Sequence, residues 1–132
     1  MDNCIFCQIA KKETPHYRIG ENRQFFAILD IRPLNPGHTL IIPKTHYRWI
    51  DDLPNFGAYF EFAQKIGLAI RKAFNPITIY YLTLGFGVPH AHIHLVPRFK
   101  NDGFENERLP KTPKNISPQE ITVIQKKIKA CI

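Results

Sequence analysis

The sequence predicts an α+β fold, an antiparallel sheet of about five strands with helices packed on one side. Three observations carry this. Short β-branched and aromatic runs alternate with Gly, Pro and Asn turns between residues 17 and 98. One long segment, 56–74, repeats apolar residues at three- and four-residue spacing, as a helix does. A second helix start is written at Ser117-Pro118-Gln119-Glu120, where Ser117 can cap, Pro118 suits the first helical position and Glu120 sits three after the cap.

The elements follow in order. Cys4 to Lys12 can form one short helix with Ile5, Phe6 and Ile9 apolar. Tyr17 to Gly20 and Gln24 to Leu29 flank the polar turn Glu21-Asn22-Arg23 and suggest a hairpin. Residues 30–37 carry Pro, Asn and Gly and read as a loop. His38 to Pro43 is a strand whose unbroken apolar run predicts burial on both faces. In the long helix Phe56, Tyr59, Phe60, Ala63, Ile66, Ile70 and Phe74 recur, and Asn75-Pro76 ends it because the residue before Pro avoids the α region. Ile77 to Leu84 and His90 to Arg98 are strands joined by Gly85-Phe86-Gly87. A polar arm follows to Ile116, then a helix with Ile121, Ile124, Ile128 and Cys131 on its buried face.

At 132 residues the chain is predicted to be a single domain, residues 1–132, that includes a C-terminal arm and helix from about residue 105. The balance of 44% apolar and 22% charged residues excludes wholesale disorder. No run reaches the roughly 18 apolar residues of a transmembrane helix. Met1-Asp2-Asn3-Cys4 lacks the basic and apolar regions of a signal peptide. Three cysteines without an export signal fit a reducing, cytoplasmic setting and exclude a disulfide framework. The net charge of +7 favours anionic partners such as nucleotides or nucleic acid. After Pro110, lysines 111, 114, 126, 127 and 129 face one acid, Glu120, which also fits a simple solvated basic face.

Two motifs carry chemistry. His90, His92 and His94 alternate, so on a strand they share one face while Ala91, Ile93 and Leu95 enter the core. Equivalent atoms of neighbours then lie about 6–7 Å apart. Such a row can chelate a metal, or it can line a phosphate site where an imidazole attacks or moves protons. Cys4-Ile5-Phe6-Cys7 can be a redox pair, half of a zinc site or two buried thiols. Zinc needs four ligands, and His46 and His90 are the leading candidates for the other two, with His38 and His16 weaker.

Together these residues resemble the histidine triad (HIT) family. The triad run is His90-Ala91-His92-Ile93-His94-Leu95-Val96. Cys4 to Ile9 resembles the N-terminus of zinc-containing bacterial and archaeal members. Residues 26–33, 36–46 and 97–99 resemble the nucleoside hairpin, the next strand and turn, and the sequel to the triad, so the likeness spans residues 3 to about 104. It implies a HIT-like fold with two main helices and a homodimer whose sheets join. It implies binding of a purine nucleotide such as AMP or GMP, and hydrolysis or transfer at the α-phosphorus. The candidate substrates are nucleoside phosphoramidates, dinucleoside polyphosphates and nucleotidyl conjugates. Carried over by position, His92 is the nucleophile and His94 contacts the phosphate. Asp30 holds the ribose, Phe6, Ile9, Ile28 and Ile31 wall the base, and Cys4, Cys7, His46 and His90 bind a structural zinc.

One departure stands out. Phe86 and Gly87 occupy positions where many relatives place polar residues just before the triad. Two other functions compete with the enzyme: a zinc-stabilised nucleotide-binding or sensor module with little turnover, and a nucleic-acid-associated protein that removes adenylate. The second is less favoured, because no basic stretch is interleaved with aromatics.

Overall fold

The computed structural model describes residues 3–132; Met1 and Asp2, which open the segment read above as lacking a leader pattern, lie outside them. The order is α1 (Ile5–Ala10), β1 (Arg18–Glu21), β2 (Phe25–Leu29), β3 (Thr39–Pro43), α2 (Phe56–Phe74), β4 (Thr78–Leu82), β5 (Ile93–Arg98) and α3 (Pro118–Lys129), with a short 3-10 turn at Ile50–Asp52. The five strands form one antiparallel sheet in the order β1-β2-β3-β5-β4.

Strand periodicity divides the buried runs of β2 and β3 between two cores. Phe25, Ala27, Leu29 and Ile41 join Tyr59, Phe62, Ile66 and Ile70 of α2 and Ile121, Ile124 and Ile128 of α3. Phe26, Ile28, Leu40 and Ile42 point the other way, onto Phe6 and Ile9 of α1. Every residue of β2 and β3 is therefore buried, as the unbroken apolar run of β3 predicts. The expectation that the helices share one side holds for α2 and α3 only. The short α1 covers the opposite face, because its own small apolar patch needs a sheet face not already filled.

Local chemistry sets the helix ends. Ser117 accepts the Glu120 N–H at 3.2 Å, and Pro118 opens α3. Asn75 closes α2 in the left-handed region with φ of 49° and donates its N–H to the Arg71 carbonyl. Phe56 and Phe60, which fit the helical repeat, lie outside the buried face at 42% and 38% exposure. Phe62, off that list, takes a place in the core instead. Tyr59 is fully buried and donates its hydroxyl to the Ile41 carbonyl, tying α2 to β3. No described helix is long and apolar enough to cross a membrane.

Candidate functional site

The triad sits where β5 begins. Strand pairing starts at Ile93, so His90 and His92 precede the ladder and only His94 lies within it. The alternation survives without the hydrogen bonds: Ala91, Ile93 and Leu95 enter the core under α2, and the histidines face α1. The rings of His92 and His94 lean together, with centroids 5.0 Å apart.

His90 turns toward the start of α1. Its Nδ1 lies 3.2 Å from Cys4 Sγ and 3.5 Å from Cys7 Sγ, and His46 Nδ1 lies 3.4 Å from Cys7 Sγ. The ligand atoms of Cys4, Cys7, His46 and His90 all fall within 4.8 Å of one another. His90 Nε2 is 2.8 Å from the Pro43 carbonyl, which can only accept. The proton therefore sits on Nε2, and the Nδ1 lone pair faces both sulfurs. A backbone carbonyl holding the far N–H is the usual support of a metal-bound imidazole. Burial, then repulsion from His46 and His92, depresses His90 to about 4, so the ring is neutral. Burial, and next the Cys4 thiol, push Cys7 up to about 11, and a metal would take the place of such a proton. Two sulfurs and two imidazoles are a donor set suited to tetrahedral zinc, so the residues fit that ion. His16 and His38, the weaker ligand candidates, do not join this cluster.

Backbone bonds also set the protons of the other histidines. His92 Nδ1 donates to the His90 carbonyl at 2.7 Å, which leaves the Nε2 lone pair free. His38 Nδ1 accepts the Leu34 N–H at 3.0 Å, so its proton is on Nε2 and is donated to His94 Nδ1 at 2.9 Å. His94 must then carry its own proton on Nε2. The two neighbouring rings thus have opposite tautomers: His92 offers a lone pair and His94 offers a donor. Burial lowers the pKa of His38 and His92, and, with the His38 and His92 charges, brings His94 to about 4. All three are neutral near pH 7.

Asp30, His38 and His94 also bring ligand atoms within 4.8 Å of one another. Asp30 Oδ2 is 3.5 Å from His38 Nε2. A metal at that point would need the Nε2 lone pair of His38, and hence a proton on Nδ1 pointing at the Leu34 N–H. Two donors facing each other disfavour that state, so this cluster is a hydrogen-bond relay.

A cavity of about 700 Å³ opens above the two rings. Phe6, Ile9, Ile28 and Ile31 line it together with Asp30, His92 and His94, so the predicted site residues other than the cysteine-cluster set meet in one place. The Phe6 ring stands edge-on to His92 at 5.0 Å and to His90 at 5.8 Å, linking the two histidine groups. Asp30 accepts the Arg32 N–H at 2.8 Å, which fixes the carboxylate at the end of β2. The loop before the triad brings Leu84, Gly85, Gly87 and Val88 to the cavity and no polar side chain. Gly85 has φ of +79°, and a Cβ there would come within 2.8 Å of the Trp49 ring. Phe86 points out, 92% exposed.

Sequence reasoning underrated His38 and overlooked Thr83. Thr83 donates to the His92 carbonyl at 2.9 Å and steadies the strand that bears the triad. The His38–His94 bond spans 56 positions, which no local pattern reveals. The signal for Thr83 was available: it is a polar residue in the predicted strand beside the triad.

Residues 11–101 match the HIT domain family. The chain is 41% identical over 113 residues to "Protein hit" of Bacillus subtilis, covering 78% of this chain and 77% of that one. It is 36% identical over 101 residues to the adenosine 5′-monophosphoramidase HNT1 of Saccharomyces cerevisiae, covering 72% of this chain and 62% of that one. The fold matches the crystal structure of a Zn-bound histidine triad family protein from Mycobacterium smegmatis with a TM-score of 0.79 and 29% identity, over 98% of this chain and 93% of that one.

Proposed function

The chain belongs to the HIT family of nucleotide-processing hydrolases, and we propose that it cleaves nucleotides at the α-phosphorus through a nucleotidyl-His92 intermediate. The observation that carries this reading is the pair of opposite tautomers, a lone pair on His92 Nε2 beside a donor on His94 Nε2. Neutral imidazole is a competent nucleophile. His92 Nε2 forms the bond to phosphorus while the bond to the leaving group breaks. The leaving group departs with that electron pair and takes a proton from solvent. Water then attacks the nucleotidyl-His92, releasing the nucleoside monophosphate, one proton and the neutral ring. The His94 N–H stabilises the charge that builds on the phosphate oxygens in both steps. His38 keeps that proton in place by filling His94 Nδ1.

The remaining assignments rest on position. Asp30 holds the ribose hydroxyls, and Phe6, Ile9, Ile28 and Ile31 receive a purine, on AMP or GMP. Zinc at Cys4, Cys7, His46 and His90 would tie the start of α1 to the turn after β3 and to the approach to His92, with four protein ligands and no open position. Two copies join at β4, an edge strand on which Tyr81 is 45% exposed and which Ile77, 72% exposed, directly precedes. Rapid quench with a labelled adenosine phosphoramidate tests the chemistry. An acid-labile nucleotidyl-protein is expected, and product without labelled protein would remove the covalent step.

The apolar loop supports one second reading, a nucleotide-binding module with little turnover, since residues 84–88 offer no side-chain donor to a leaving group. Multiple-turnover release of AMP separates the two.

A further inference from the structure

The arm between β5 and α3 lies beyond the family match, which ends at residue 101, yet it lines the cavity with Leu109, Pro110, Lys111 and Pro113. Its position is built. The Lys114 N–H donates to the Pro33 carbonyl at 2.7 Å, and Lys114 Nζ donates to Asn35 Oδ1 at 2.5 Å and to the Asp102 carbonyl. Asn35 is fully buried and donates to the Pro97 carbonyl at 2.8 Å and to Asp102 Oδ2 at 3.0 Å. Arg98 Nε completes the set at 2.9 Å from Asp102 Oδ2. This network clamps the arm to the loop that carries Asp30 and His38. Pro110 and Pro113 restrict the backbone between the clamp and the cavity.

The direction of the chemistry gives the arm a task. Displacement at phosphorus runs in line, with the attacking and leaving atoms on opposite sides. His92 is 6% exposed and forms the floor, so the leaving group must point toward the mouth. Among the described residues that line the cavity, the exposed ones include two cations, Arg32 on the Asp30 loop and Lys111 on the arm. The only carboxylate among the described lining residues is Asp30, which already accepts the Arg32 N–H.

We propose that Arg32 and Lys111, the latter positioned by the Lys114 clamp, form an anion subsite for the leaving group, so that the chain favours nucleotide conjugates whose leaving group carries its own negative charge. The proposal rests on the hydrolase reading and names its substrate class. Two adenosine phosphoramidates test it, one made from propylamine and one from β-alanine. They share the reacting bond and nearly the same shape, and differ by a distal carboxylate.

The β-alanine conjugate is expected to show about five- to tenfold higher kcat/KM at low salt, an advantage that shrinks in 0.5 M NaCl, on the order of a Debye length of a few ångström. Lys111→Met and Arg32→Met should bring the ratio of the two substrates toward one, Lys111→Arg should keep it, and Lys114→Met should lower it by releasing the arm. A ratio near one in the unaltered protein, or a ratio unmoved by Lys111→Met, overturns the subsite and leaves the hydrolase reading standing. If neither conjugate turns over, calorimetry reads the same comparison as affinity. Tighter binding of the β-alanine conjugate then keeps the subsite while the hydrolase reading falls, and equal affinity overturns the subsite too.

Discussion

Among the described residues, two groups of metal-capable side chains bring their ligand atoms within the same 4.8 Å, and they differ in where their protons sit. Around Cys4, Cys7, His46 and His90, the Pro43 carbonyl takes the far proton of His90 and turns its lone pair toward the sulfurs. Around Asp30, His38 and His94, the Leu34 N–H occupies the far nitrogen of His38 and turns a proton inward. One carbonyl and one amide leave one group with lone pairs suited to a metal and the other with a hydrogen bond in their place. Proximity of His, Cys and Asp is therefore not enough to call a metal site; the backbone atom behind each ring decides.

Removing the group that each arrangement serves should have the largest effect. His92→Asn should lower turnover by more than about a thousandfold while nucleotide binding persists, because only the transition state loses its bond. Single-turnover kinetics and calorimetry on the same variant check both halves. Next comes the metal group. Cys4→Ser should lose the metal and lower Tm by roughly 10 °C, read by elemental analysis and a melting scan. An unaltered metal content would blur the contrast between the two groups. The relay should respond more mildly. His38→Phe frees the His94 proton to move and should reduce kcat about tenfold to a hundredfold without metal loss. Asp30→Ala should weaken AMP binding by about tenfold, the cost of one charged acceptor.

The smallest effect is on stability. Burial holds His94 at about 4 and His38 below its ordinary value, while the unfolded rings titrate near 6.5. The unfolded chain then binds more protons, so this contribution is full above pH 6.5 and is lost as the pH falls toward 4. Urea midpoints of the metal-loaded protein should drop between pH 7 and pH 5, and the drop should shrink in His94→Gln.

Much of this was legible in the sequence where the cause is local. Ser117 and Pro118 announce α3, the apolar run of β3 announces its two-sided burial, and the alternation of His90, His92 and His94 announces their common face. What escaped is non-local. The six residues of α1 carry an apolar patch but no sign of which sheet face it seeks. Phe56 and Phe60 obey the helical repeat and still face outward, since the repeat marks more apolar positions than α2 buries. The His38–His94 bond and the clamp among Asn35, Arg98, Asp102 and Lys114 join residues far apart in the chain, and only the folded sheet brings them together.

The central claim, that backbone partners give the two groups opposite proton arrangements, is directly measurable. Long-range ¹⁵N–¹H spectra of the histidine side chains at pH 7 report which ring nitrogen carries the proton. The structure requires Nδ1–H for His92 and Nε2–H for His38, His90 and His94, with His90 Nδ1 shifted further when zinc is added. An Nε2–H tautomer at His92, or an Nδ1–H tautomer at His94, would contradict the account.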